Sequence, residues 1–474
     1  MAGRERGVPV SGIWSSPLYS NAWFGEQAES MLDLGYARSW AARAGPAPPQ
    51  DLAGPELDLA DWRQPDVGWG LVVPDDDAVP DGEKALGRDL PLALQKLVAE
   101  RGQAPVLRWR PDVRDGRLRR YFTDRPAADL RVSGERGVVG LKVPHYLLIA
   151  ASPAAIPWRV QYRLQTEAFV GRIALSGAAL ENYIEHLLDE WSRCAVQRAT
   201  PVVWAVDHAH PDITRLMRTS LADKLAAALR SDPQGEFALD GGHLVAEAAR
   251  SASLIGALVE RRPAFVMTSS HGATYPLDNP LKLRQQLGLP VDQERRLLDL
   301  TALAAWNPGG CIWYAHACCS AGSAAVSEFA GILTPYTSLD RTLTAVAGAG
   351  DQVAPLPQAL LSAPTPLRAF IGHVEPTFDW TLRDPETNQI LASPLVNAFS
   401  RELHGVSRRP LGMVLQSYVR AVAGLLMDHA DALRDHDDLV PGAIERALRS
   451  KLMASDRQAL VLLGDPTVRM PAPY

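Results

Sequence analysis

Short unbroken apolar runs alternate with stretches of helical period from about Trp69 to the C-terminus. No other feature constrains the fold as much. The strand candidates are Trp69–Asp75, Ala104–Trp109, Tyr146–Ala151, Val202–Val206, the run from Ala264 that ends at His271-Gly272, the run from Cys311 that ends at Cys319, Leu367–Gly372 and Ala459–Leu463. A strand that is apolar along its whole length needs cover on both faces, and that is the condition of a parallel sheet. The stretches between them read as helices. Leu92–Glu100 follows Pro91, which suits a first helical turn, and Leu180, Tyr183, Ile184, Leu187, Leu188 and Trp191 recur at helical spacing after Ser176, a candidate N-cap. Further helices are expected over Asp212–Arg230 and Gly242–Arg261, ending near Ala305, and over Leu395–Leu403, Leu411–Leu433 and Ala443–Met453. The fold class is therefore α/β, a mostly parallel sheet flanked by helices.

The 474 residues divide into an N-terminal accessory region, 1–138, and a main domain, 139–474. Within the first part, residues 1–60 are loop-rich, with a breaker run at Gly45-Pro46-Ala47-Pro48-Pro49. They are too poor in periodic apolar positions to build a core. They are expected to lie over the main domain, as packing or as a lid or inhibitory arm. A small β-α-β unit is expected at about 68–110, and Asp112–Arg136 reads as a charged, solvated connection.

Composition excludes several functions. A net charge of −6 argues against a broad nucleic-acid surface. No run reaches the roughly 18–20 apolar residues of a membrane helix, and Met1–Val10 shows no signal-peptide core. The four cysteines, Cys194, Cys311, Cys318 and Cys319, form no CxxC pair, which fits a reducing compartment. The expectation is a cytoplasmic protein with no membrane or nucleic-acid partner.

Two of the strand candidates end in reactive side chains. One delivers His271 and Gly272, the other Cys319, Ser320, Ala321 and Gly322. Parallel strands ending side by side bring imidazole and thiol to the carboxyl edge of a sheet, where open α/β folds place their sites. The imidazole can take the thiol proton and so make the nucleophile. A tight turn after Cys319 into a helix beginning near Ser323 would favour the thiolate further. Asp207, at the end of the Val202–Val206 strand, is a candidate to orient His271 or contact substrate, or simply a cap. His208, His210 and Asp212 have metal-like spacing but no matching second cluster, so no metal and no cofactor is expected. His316 reads as a core histidine.

Ser-Ser-His271-Gly272 and Ala-Cys-Cys319-Ser-Ala-Gly322 resemble the His-Gly and Cys-x-x-Gly signatures of the caspase-like (clan CD) cysteine peptidases. That group includes caspases, metacaspases, gingipains, separase and CHAT domains. The 48 positions from His271 to Cys319 are close to the roughly 50 of caspases. Cys319 fits Cys-x-x-Gly and Cys318 does not. Val170-Gly171-Arg172-Ile173 with the helix after it, Tyr146–Ser152 with Ile156-Pro157, and Leu463-Gly464-Asp465-Pro466 are similar to segments of the gingipain-like peptidases in particular. The chain departs from that family at Ala174, often proline there, and in having no export signal.

The resemblance implies a caspase-like sheet over roughly 140–474. It implies a cysteine endopeptidase in which Cys319 attacks, His271 handles protons, and the amides of Gly272 and Cys319 hold the oxyanion. Glu375, Asp379 and Trp380, after the next strand, would form part of the specificity-pocket wall, or else belong to a mobile surface loop. The substrate would be a protein or peptide. The alternatives are a CHAT-type protease switched on by an activating protein partner, and a catalytically silent caspase-like scaffold that binds protein.

Overall fold

The computed structural model describes residues 17–42, 57–113 and 116–472. The Gly45–Pro49 breaker run and the first ten residues lie outside the described residues. The strands are β1 (Pro17–Trp23), β2 (Gln27–Met31), β3 (Trp69–Pro74), β4 (Val106–Trp109), β5 (Arg117–Arg120), β6 (Ala128–Arg131), β7 (Tyr146–Ala150), β8 (Phe169–Ile173) and β9 (Val202–Ala205). They continue with β10 (His243–Val245), β11 (Phe265–Ser269), β12 (Gly272–Ala273), β13 (Ile312–His316), β14 (Gly322–Ser323), β15 (Gln352–Val353), β16 (Ala369–His373) and β17 (Leu460–Gly464).

One 12-stranded sheet runs in the order β10-β9-β11-β13-β16-β17-β8-β7-β3-β4-β5-β6. Its pairs are parallel except β16–β17, β4–β5 and β5–β6. The apolar runs behave as expected: β11, β13 and β16 are buried along their whole length. Each Val, Leu, Ile or Phe so placed contributes about 1.5–3 kcal/mol relative to exposure. Helices supply the cover. Gly177–Leu188 buries Leu180, Tyr183, Ile184 and Leu187, and Ser251–Arg261 buries Leu254, Ala257 and Leu258. The boundary at 138/139 falls inside this sheet, because β3 pairs with β7 from Trp69↔Tyr146 to Val72↔Ile149.

Two expectations fail locally. Asp112–Arg136 contains the hairpin β5–β6 rather than only loop: Leu118 and Leu130 pair and pack with Leu107, Leu147 and Ile149, while Arg119 bridges Asp129 at 2.8 Å. The alternating arginines are the solvent face of an edge hairpin, a usual protection for an edge. The Gly242–Arg261 stretch is not one helix. It begins with the edge strand β10, parallel to β9, and the helix starts only at Ser251.

The segments that carry the family resemblance meet in space. A Cβ on Gly171 would lie 2.1 Å from the Gly464 carbonyl oxygen, so only glycine lets β8 and β17 approach there. A second apolar cluster sits beyond the carboxyl end of β13. It joins Cys318 and Cys319 to Ala22 of β1, Trp40, Leu287, Phe378 and Trp380. Among the described residues no helix is long and apolar enough to cross a membrane.

Candidate active site

β11 and β13 are adjacent and parallel, in register from Phe265↔Ile312 to Ser269↔His316. His271 and Cys319 therefore leave the sheet at the same edge, His271 two residues and Cys319 three past their strand ends. The loops are in backbone contact: a Cβ on Gly272 would lie 1.9 Å from the Cys318 carbonyl oxygen. Glycine after the histidine is thus a packing requirement.

The chain after Cys319 does not enter a helix. Ser320 Oγ donates to the Ala315 carbonyl at 3.1 Å and accepts from the His373 amide at 2.9 Å. Gly322–Ser323 then forms β14 against β15, and the next helix starts only at Ser338. A helix dipole is therefore not what acts on the thiol. The cause is tertiary: the segment is laced to β16 and β15 before a helical turn can close.

The His271 ring is held by Asp212, not Asp207. Its Nε2 lies 2.9 Å and 3.1 Å from the two carboxylate oxygens of Asp212. Asp212 is also the N-cap of the helix Ile213–Met217, accepting from the Thr214 amide at 2.8 Å. Burial pushes its carboxyl upward, but the neighbouring His208 and His271 imidazoles and the bond from Thr214 outweigh this and hold it well below the usual range. An ionised Asp212 assigns the proton of a neutral His271 to Nε2 and leaves the lone pair on Nδ1. Nδ1 is buried and has no hydrogen-bond partner. Asp207 is engaged elsewhere, paired with Arg218 at 3.0 Å and accepting from the Ala209 amide at 2.8 Å.

Cys319 has φ +55°, and Glu375 faces it with φ +71°. These left-handed conformations cost a side-chain-bearing residue about 1–2 kcal/mol each, and such strain clusters at functional sites. A hydrogen bond holds the pair: the Cys319 amide donates to the Glu375 carbonyl at 2.9 Å. The amide expected to stabilise an oxyanion is therefore engaged as the protein stands. The Cys319 thiol is fully buried, and burial, with Cys318 and Glu375 nearby, pushes it well above its usual value. Cys318 is the hydrogen-bonded thiol. Its Sγ lies 3.2 Å from Ser20 Oγ and accepts from the Thr377 amide at 3.0 Å; burial pushes it up to about 12.

Glu375, Asp379 and Trp380 all lie in the buried loop after β16. Burial pushes the Glu375 carboxyl up to about 8, helped by Glu328 and Asp351. Asp379 pairs with Arg383, and Trp380 stacks on Phe378 at 4.5 Å. Asp456 accepts from the amides of Phe378 and Thr381 and fixes the loop's backbone. Cys311 and His316 are core groups: the His316 Nδ1 faces Tyr314 OH at 2.8 Å, and burial holds its ring down to about 3.

Residues 17–42 cover this site. β1 pairs in parallel with β12 through Ala22↔Gly272 and Trp23↔Ala273, and bridges the specificity-loop candidate through Ser20↔Phe378. The Trp23 ring packs against His271 at 5.4 Å and His208 at 6.1 Å. Arg38 bridges Glu445 at 2.7 Å and ties the next helix, Leu34–Ala41, to the body.

Along the chain Asp212 stands out only for its metal-like spacing, and nothing local marks Ser20, Trp23 or Thr377. An aspartate capping the first helix after a strand end was the one signal available for its role beside His271. No family model matches the chain, and no curated protein is significantly similar to it.

Proposed function

We propose that this chain is a cysteine endopeptidase held in a covered resting state. The observation that carries the reading is His271: a fully buried imidazole, fixed through Nε2 by an aspartate, with an unpartnered Nδ1, on a loop in backbone contact with the Cys318–Cys319 segment. A buried polar atom without a partner calls for an explanation, and a catalytic role is one when the atom lies beside a thiol-bearing loop at a sheet edge.

In this mechanism His271 Nδ1 accepts the proton of the Cys319 thiol. Sγ then bonds to the scissile carbonyl carbon, and the carbonyl π electrons move to oxygen. The Gly272 amide and the Cys319 amide, once released by Glu375, stabilise that oxyanion. Collapse breaks the C–N bond, and the departing amine takes the proton from His271. Water, deprotonated by the same nitrogen, hydrolyses the thioester and restores Cys319. Asp212 acts through His271 as a positioning residue.

Complete burial of Cys319 favours the partner-activated version of this chemistry, in which β1 must leave before a peptide takes its place as an extended strand. The test is labelling by an electrophilic peptide, read by mass spectrometry, after limited proteolysis removes the covering segment. Label on Cys319, absent from Cys319→Ala and retained in Cys318→Ala, supports the reading. Label on Cys318 alone overturns the choice of nucleophile. A folded, uncovered chain that labels on neither thiol supports the protein-binding scaffold.

A further inference from the structure

His208, Asp212 and His271 converge from two loops, with one donor atom of each within 4.8 Å of the others. His208 Nδ1 lies 3.7 Å, and His271 Nε2 2.9 Å, from the same oxygen, Asp212 Oδ2. Donors sharing one tetrahedral zinc ion at its usual bond lengths stand about 3.3 Å apart, and these two separations bracket that value. The second imidazole is prepared as a ligand. His208 Nε2 faces the Asp292 carbonyl at 3.1 Å, and the Asp292 carboxylate is itself held by Ser251, Glu294 and Arg296 amides. Donation from Nε2 leaves the Nδ1 lone pair of a neutral ring aimed at Asp212. A histidine anchored this way by a backbone carbonyl is the usual support of a metal ligand.

Two observations point to a cation. His208 Nδ1 is buried with no hydrogen-bond partner, its side chain only 3% exposed. A lone pair facing a carboxylate oxygen in a buried pocket is repulsive, and a proton on Nδ1 or a metal ion shared by the two groups relieves it; the convergence of His271 Nε2 on the same oxygen is what favours the metal ion. The two rings are nearly parallel, 16° apart with centroids at 5.7 Å, so neither must swing far to reach a shared ion. His210 is exposed and takes no part. The local spacing of residues 208–212 lacked a partner cluster; folding supplies it as His271, 59 positions beyond Asp212.

We propose that His208 Nδ1, Asp212 and His271 Nε2 form a binding site for a divalent zinc-like cation, and that the cation switches the peptidase off. The binding stands on the geometry alone; the switching rests on the peptidase reading. A metal on His271 Nε2 moves the ring proton to Nδ1, and Nδ1 then cannot accept the thiol proton. His208 is outside the catalytic steps, which makes it the clean variant.

The experiment is calorimetric titration of chelator-treated full-length protein with Zn²⁺, beside peptide turnover at the same zinc concentrations after limited proteolysis has removed the covering segment. One equivalent should bind to wild type and to Cys319→Ala. His208→Gln, which keeps a donor for Asp292, should bind about tenfold or more weakly, turn over peptide within about twofold of wild type, and resist zinc by the same factor. Asp212→Asn is the second binding variant, should His208→Gln fail to fold. Wild type that binds no zinc overturns the proposal, as does His208→Gln that binds it undiminished. Zinc binding that depends on Cys319 overturns it too, because the thiols are then the ligands. Zinc binding without hydrolysis of any peptide upholds the site and sinks the peptidase reading; hydrolysis without zinc binding does the reverse.

Discussion

The two halves of the sheet place ionisable groups at their carboxyl edges in opposite ways. In the half built on β3 and β4, Asp75 is buried, and every strong partner it needs is present. Lys84 Nζ is 2.8 Å away, Tyr121 OH 2.7 Å and Arg110 3.0 Å. Burial raises the Asp75 carboxyl, but those hydrogen bonds outweigh it and the net shift is downward. In the half built on β9, β11 and β13, the nitrogens His208 Nδ1 and His271 Nδ1 are buried with no hydrogen-bond partner, and Cys319 is buried as an uncharged thiol. The contrast lies in these particular groups: Asp75 meets three close partners, whereas one ring nitrogen of each of His208 and His271 meets none. Satisfied groups stabilise a structure; buried groups left without partners cost stability and are kept for chemistry.

The largest effect is expected at His271. His271→Ala should lower peptide turnover of the folded protein about 10²–10⁴-fold, and should also lower the melting temperature, because the buried Asp212 carboxylate loses the imidazole bonded to it through Nε2. Asp212→Asn should lower kcat about 10²-fold and leave KM unchanged, because the aspartate orients the ring and touches no substrate. Variants that unfold, while His316→Ala stays folded and loses activity, would show that the wrong histidine was chosen.

Asp75→Ala is the mirror experiment. Removing one partner from a buried, paired cluster should cost about 3–5 kcal/mol of stability and leave turnover in the surviving folded protein unchanged. The Asp75 carboxyl is held below its unfolded value. Its contribution is therefore present above that value, about pH 4, and fades as pH falls below it. Denaturant midpoints of wild type and variant at pH 7 and pH 3 check this; a gap that widens in acid contradicts it.

The covering hairpin lies against the histidine side of this contrast, pairing with Gly272–Ala273 and packing Trp23 on His271. Deleting residues 1–42 should speed alkylation of the thiols and raise peptide turnover, each about tenfold, by raising the competent fraction. Aggregation or a lower melting temperature with no gain in turnover would assign the hairpin a packing role alone.

The smallest effect is at Glu375, which burial raises to about 8. Between its unfolded value, about pH 4.3, and pH 8 the native state binds the extra proton, so its ionisation destabilises the fold as pH rises. Glu375→Gln should therefore melt about 2–4 °C above wild type at pH 8.5, and the difference should shrink toward pH 5. A constant difference across that range would place the carboxyl in solvent instead.

Hydrophobic period marks most of the alternating elements and their type, although the β5–β6 hairpin, the edge strand β10 and β14 escape it. Apolar runs such as Phe265–Ser269 and Ile312–His316 can be stable only as strands covered on both faces. The sequence also placed His271 and Cys319 just past two strand ends. Tertiary structure alone decided what surrounds them. Asp212 rather than Asp207 reaches His271 because the path of the 206–212 loop, not spacing along the chain, decides which carboxylate faces the ring. The segment after Cys319 becomes β14 rather than a helix because β15 and β16 offer hydrogen bonds first. Ser20 and Trp23 reach the site only because β1 pairs with β12, a contact some 250 residues apart in sequence that periodicity cannot encode. Period reports which face a residue shows; the neighbour it meets there depends on strand order and loop path, which are set by the packing of the whole chain.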